Sequence, residues 1–418
     1  MVRRTFLPAL AIVMLVAALL AAQAGAAGGG RFCQDLRHRL VRGGGQASGL
    51  FVVDARTGKA VCARAARRAR PLASNTKIFT TATALSELGP DYRIETKVLA
   101  DGKVDRQGVL HGDLYLVGGG DPVLGSPAFY NAFLGGLGTN LYSLVRQIAS
   151  RAEIRSVTGR LYADDSIFDR LRGVADSGFA TSPYIGPLSG LSFNVGFSTS
   201  RGGSFSSDPA RLAARKLAAS LRGAGVAIAA DVALGDADPD DTRSIASVES
   251  PRLDLLVNST NVYSNNFFAE MLLKLVGAHE GGAGTTAAGA GVVERFARSR
   301  GSGLNAVDGS GLTRSNRASP LQVVRFLQGM RSSHVRDEFI SDLALAGREG
   351  TVAGRMRGTS AYGRCRVKTG TLTGVSNLSG YCFRGRRTMI FSILMGSVRD
   401  LGLAHAEQDR IAGAVAGY

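Results

Sequence analysis

The 418-residue sequence predicts a mixed α/β fold of the α+β kind, interrupted by a long insert. Three observations carry this expectation. After Ser74 the apolar residues Phe79, Ala82, Leu85 and Leu88 recur at helical intervals until Gly89-Pro90 ends the run. Near the other end, residues 375–383 and 388–395 form two successive apolar runs, as central strands of an antiparallel sheet do. Between them, from about 92 to 250, the texture changes to short strand-like runs and Gly-rich turns. With 45% hydrophobic and only 20% charged residues, the chain is folded and not disordered.

In chain order, Arg3 and Arg4 precede an apolar run over 6–20, and Ala22-Gln23-Ala24 and Ala24-Gly25-Ala26 offer small-x-small cleavage sites. Residues 1–27 read as an export signal. No second apolar segment reaches membrane length, so no retained transmembrane segment is expected. The mature protein is expected in the periplasm or elsewhere in the extracytoplasmic envelope. Four cysteines fit that compartment. Cys33 and Cys62 flank the first segment while Cys365 and Cys382 flank a hairpin, so 33–62 and 365–382 is the most economical of the three pairings.

Two strands, 50–54 and 59–62, joined across Arg56-Thr57-Gly58, deliver the chain to Pro71. Residues 28–90 and 251–418 are expected to form one domain around an inserted region, 91–250, of one or two small subdomains. The insert carries strand-like runs at 95–99, 113–117 and 159–163 and a helix at 209–221. Its Gly118-Gly-Gly-Asp121-Pro122 reads as a structural turn, since no Gly-Lys-Ser/Thr follows.

The net charge of +17 comes from scattered residues, with clusters only at Arg64–Arg70 and Arg384–Arg387. No basic stripe with interleaved aromatics is present, so nucleic acid is not an expected partner. Only 7 of the 50 basic residues are lysines, and two of those seven fall in the motifs described next. Arginine keeps its proton in proteins, whereas lysine can give its proton up. The five histidines lie far apart beside no Gly-x-Ser-x-Gly elbow, and the cysteine spacing matches no zinc pattern, so neither a Ser-His-Asp hydrolase nor a metal site is expected.

Three short stretches carry chemistry. Ser74 and Lys77 stand three residues apart at the start of a helical pattern, where they share a face and can touch. A serine hydroxyl needs a base, and a desolvated, neutral lysine supplies one. This is the only Ser-x-x-Lys in the chain. Ser264-Asn265-Asn266 enters a second helical pattern whose apolar face is Phe267, Phe268, Met271, Leu272 and Leu275, where Ser264 reads equally well as a helix cap. Lys368-Thr369-Gly370, followed by Thr371, ends a strand, setting a cation and hydroxyls beside a glycine that lets substrate approach the backbone.

Ser-x-x-Lys, Ser-x-Asn and Lys-Thr-Gly, in that order and in those helix, loop and strand contexts, resemble the serine acyltransferases that react with penicillin. The chain is more specifically similar to the low-molecular-mass class C penicillin-binding proteins, the D-alanyl-D-alanine carboxypeptidases and endopeptidases. Leu116–Pro122, Gly186–Leu191 and Asp308–Leu312 also look like that family, and the likeness runs from about Gly49 to Gly396. The resemblance implies a penicillin-binding/serine β-lactamase-like transpeptidase domain, an antiparallel sheet flanked by helices and built from both ends of the chain.

It further implies substrates that are peptidoglycan stem peptides ending in D-Ala-D-Ala, with β-lactams as covalent inhibitors and no cofactor. Ser74 would attack the carbonyl, Lys77 would take its proton, Ser264 would relay a proton to the leaving amine and Asn266 would hold substrate amides. Lys368 would keep the site electropositive and depress the proton affinity of Lys77, while Thr369 and Thr371 would bind the terminal carboxylate. A β-lactamase or esterase would share these residues, and a non-catalytic cell-wall-binding module is the remaining alternative.

Overall fold

A six-stranded sheet forms the centre of the molecule, with strand order Ala344–Leu345, Cys365–Leu372, Val375–Arg384, Arg387–Gly396, Gly49–Asp54, Ala60–Arg64. The computed structural model describes residues 30–229 and 231–418. The stretch 1–27, read from the sequence as an export signal, lies outside the described residues. Every pairing in this sheet is antiparallel, and the first long strand joins the last, with Gly49 opposite Leu394 and Asp54 opposite Met389.

Both faces of the sheet are covered, which is why its central strands read as apolar runs with little polar alternation. Leu50, Val52, Phe391 and Ile393 pack on one side with Leu36 and Leu40 of the helix over 30–44 and Ile411 and Val415 of the helix Leu401–Gly417. Val53, Ile390 and Leu394 pack on the other with Phe79, Phe268, Phe326 and Leu327 from the helices Thr76–Leu88, Asn266–Glu280 and Pro320–Met330. Disulfides join Cys33 to Cys62 and Cys365 to Cys382, the latter across directly opposed strand positions.

A second sheet is made of strands lying between Glu95 and Glu249, in the order Val232–Leu234, Leu161–Asp164, Leu114–Val117, Glu95–Asp101, Thr242–Glu249. Its first two pairings are parallel and its last two antiparallel. The helix Pro209–Gly223 begins at an Asp208 cap with proline at its first turn and buries Ala210, Ala213, Ala214, Leu217 and Leu221 along one stripe. That stripe meets Val98, Leu114, Leu116 and Leu161 in a hydrophobic cluster of its own.

Candidate active site

The chain enters the site through a strained turn. Ala73 has φ +47, and Ala73–Asn75 form a single 3₁₀ turn before the α-helix proper starts at Thr76. The sequence reading has the helical pattern run straight from Ser74; the tighter turn instead tips the serine out of the helix. Asn75 Nδ2 donates to the Lys368 carbonyl at 3.0 Å, and Asn377 Nδ2 donates to the carbonyls of Pro71 and Leu72 at 3.0 and 2.8 Å. The turn is thereby tied to the sheet, where an unfavourable φ can be held.

Gly370 has a different reason from the one its motif suggests. A Cβ there would stand 2.8 Å from the Leu72 carbonyl oxygen and 3.1 Å from the Ser74 nitrogen, so the missing side chain makes room for the serine turn, not for substrate. Gly370→Ala is therefore expected to push Ser74 outward and slow acylation by penicillin about ten- to a hundredfold. Stopped-flow labelling measures this, and an unchanged rate would refute the packing argument.

Lys77 is fully buried, and its Nζ donates to Ser74 Oγ at 3.1 Å, to Asn266 Oδ1 at 2.7 Å and to the Ser310 carbonyl at 2.7 Å. Burial lowers its pKa to about 7, against the opposing pull of Glu270 and Asp308. Lys368 is also fully buried, and its Nζ donates to Ser264 Oγ at 3.0 Å and to the Thr369 carbonyl at 3.1 Å. Its pKa falls well below the usual lysine value, through burial first and then repulsion from Lys77. Burial thus leads at both lysines, and the repulsion between the two buried cations is mutual, each making the other easier to deprotonate.

Ser264 does not cap the second helix. Asn265 Oδ1 accepts from Phe268 N at 3.1 Å and takes that place, while Ser264 adopts φ +60 and turns its hydroxyl toward Lys368. Asn266 is engaged at both ends, its Nδ2 donating to the Tyr184 carbonyl at 3.0 Å. Thr369 Oγ1 donates to Thr351 Oγ1 at 2.9 Å and is not among the residues lining the cleft, whereas Thr371 is exposed and lines it.

That cleft, of about 620 Å³, is lined by Ser74, Ser264, Asn266 and Thr371. Val174, Asp176, Ser177, Ser182 and Tyr184 line it as well.

Two buried carboxylates complete the arrangement. Glu270, four residues beyond Asn266 on the same helix face, accepts from Gly309 N and Ser310 N, the latter at 2.7 Å. It thereby holds the loop whose Ser310 carbonyl receives Lys77. Asp308 accepts from Gly311 N at 2.6 Å and Thr313 N at 2.9 Å. Burial and the neighbouring Asp308 push Glu270 up to about 7. Sequence reasoning missed Glu270, although a carboxylate amid Phe267, Phe268, Met271 and Leu272 was a signal.

Since Glu270 raises the proton affinity of Lys77, Glu270→Gln should move the acidic limb of the acylation pH profile to lower pH. A limb moving to higher pH would show that the carboxylate acts otherwise. Among the described residues no three His, Cys, Asp or Glu side chains gather as a metal ion would need, and no helix is long and apolar enough to cross a membrane.

Comparison with known proteins places the chain in a family. The model of the D-Ala-D-Ala carboxypeptidase 3 (S13) family matches residues 34–201 and 199–416. A D-alanyl-D-alanine carboxypeptidase of Actinomadura sp. (strain R39) is 32% identical over 431 residues, covering 84% of this chain and 78% of the relative. Carboxypeptidase DacB of Mycolicibacterium smegmatis is 30% identical over 380 residues, covering 84% and 76%. Among solved structures, penicillin binding protein 4 (dacB) of Haemophilus influenzae superposes with a TM-score of 0.75 at 20% identity, over 91% of this chain and 97% of that one. A penicillin G-acylated predatory endopeptidase of Bdellovibrio bacteriovorus superposes with a TM-score of 0.52 at 20% identity, over 87% and 90%. The two structures share the fold, and the family model and the two sequence relatives carry the assignment: the chain belongs to the D-Ala-D-Ala carboxypeptidase 3 (S13) family and is a serine-type D-Ala-D-Ala carboxypeptidase.

Proposed function

We propose that the enzyme acts outside the cytoplasmic membrane on peptidoglycan stem peptides ending in D-Ala-D-Ala, as a carboxypeptidase and as an endopeptidase, and that β-lactams acylate it at Ser74. The observation that carries this reading is the convergence of two lysine–serine pairs on one cleft, Lys77 with Ser74 and Lys368 with Ser264. Ser74 Oγ attacks the carbonyl carbon of the penultimate D-alanine, and its proton passes to neutral Lys77 Nζ. The Ser74 and Thr371 backbone N–H groups receive the developing oxyanion.

The C–N bond then breaks, and the leaving amine takes a proton relayed through Ser264. Water hydrolyses the ester, returning Ser74 to its free form. Asn266 Oδ1 has a second lone pair for the substrate's amide beside the one Lys77 occupies. Lys368 and Thr371 face the terminal carboxylate. Thr369, whose hydroxyl meets that of Thr351, joins them when that hydroxyl turns to the substrate. Carboxypeptidase and endopeptidase reactions share this acylation and differ only in the leaving amine. Two disulfides among the described residues support an oxidising, extracytoplasmic setting.

The purified protein is expected to release D-alanine from a pentapeptide, to cut a cross-linked dimer, and to keep a long-lived penicillin adduct. Rapid turnover of penicillin with no D-alanine release would instead identify a β-lactamase. Failure of a folded protein to acylate at all would favour a binding role.

A further inference from the structure

The helix that carries Asn266 and buried Glu270 carries a second buried charged group one turn beyond Glu270. Lys274 has no exposed surface, although the acylation chemistry does not use it. Its Nζ donates to Asp169 Oδ1 at 2.5 Å and to the Leu171 carbonyl at 3.1 Å. Both acceptors belong to the insert. They begin the segment 169–184, which supplies Val174, Asp176, Ser177, Ser182 and Tyr184 to the lining of the cleft.

The same helix holds the other end of that segment, where Asn266 Nδ2 meets the Tyr184 carbonyl. Asp169 N also donates to the Gly284 carbonyl at 3.1 Å, and Arg172 ties the middle back through Asp165 at 3.0 Å and the Leu188 carbonyl at 2.9 Å.

We propose that Lys274 is a positioning residue for peptide substrates: through Asp169 and Leu171 it fixes the insert's cleft wall against the helix that bears the catalytic asparagine. This deepens the function proposed above and rests on it. A stem peptide extends past the reacting bond and needs that wall, whereas a small β-lactam needs chiefly Ser74, Lys77, Ser264 and Lys368. Loosening the wall therefore separates the two reactions. Asn266 loses at most its Tyr184 partner when the wall loosens, and keeps its place on the helix and its bond from Lys77.

The test compares Lys274→Met with the wild-type enzyme, using penicillin acylation, steady-state hydrolysis of a D-Ala-D-Ala pentapeptide and amide hydrogen exchange. Acylation is expected to stay within about threefold, while kcat/KM for the peptide falls about tenfold or more, chiefly through KM. Exchange is expected to quicken over 169–184 and to stay unchanged over 266–280. Asp169→Asn, which keeps an acceptor and removes only the charge, should show the same pattern more weakly, and is read in place of Lys274→Met if that variant does not fold.

A parallel fall of both reactions would overturn the inference, because Lys274 would then be supporting the catalytic helix itself. Unchanged peptide kinetics with unchanged exchange would overturn it as well. Absence of acylation in the wild-type enzyme is a separate outcome and strikes the acyl-enzyme reading first.

Discussion

Replacing Ser74 by alanine is expected to leave a folded protein that gains no mass with penicillin and releases no D-alanine from peptide. The side chain is half-buried, and among the described contacts its hydroxyl meets only Lys77 Nζ. Removing it leaves Lys77 with the Asn266 and Ser310 acceptors, so the buried amine stays satisfied and stability changes by about 1 kcal/mol or less. Turnover, by contrast, loses the atom that forms the ester and should fall by about 10⁴-fold or more. Intact mass before and after penicillin, with peptide mapping of the adduct, decides the matter. A surviving adduct mapped to Ser264, the other cleft serine bonded to a lysine, would transfer the nucleophile's role.

The second large effect belongs to Lys77. Lys77→Met preserves much of the side chain's volume inside the core while removing the proton acceptor, and acylation should drop about 10³-fold, within the usual range for loss of a general base. In the wild-type enzyme the lysine must be neutral to accept the serine proton. With its pKa lowered to about 7 by burial, the competent form grows as pH rises and dominates above that point, so the rate climbs through pH 7 and then levels. The methionine variant should lose that climb along with the rate.

Glu270 titrates in the same window, so the climb belongs to the buried cluster as a whole. Glu270→Gln, in which the climb survives but shifts, separates the two contributions. A Lys77→Met enzyme that kept the climb at reduced rate would move the titrating base elsewhere.

Much of this site was legible in the sequence because its defining contacts are local or strand-borne. Ser74 and Lys77 stand three residues apart, near enough to meet across the 3₁₀ turn that leads into the helix, and the apolar runs around residues 375–395 announce a sheet covered on both faces. What stayed hidden depends on long-range backbone placement. The Ser310 and Tyr184 carbonyls that receive Lys77 and Asn266 carry no residue-type signal, since every residue has a carbonyl. The adjacent asparagine took the capping role that Ser264 was equally suited to, and only the positive φ at Ser264 reveals why. The mixed parallel and antiparallel order of the second sheet is likewise invisible in short strand-like runs that look alike whichever neighbour they join.

The pairing of the strand Gly49–Asp54 with Arg387–Gly396 has a consequence for biogenesis. During synthesis the amino-terminal hairpin and the Ser74 turn emerge early, but the strands and helices that bury them are made roughly 200 to 340 residues later, an interval long enough to make the topology slow to close. The Ser74 turn has its sheet partners Lys368 and Asn377 only after those later segments have been made. Assembly of the site therefore waits on a strand made more than three hundred residues after its neighbour in the sheet.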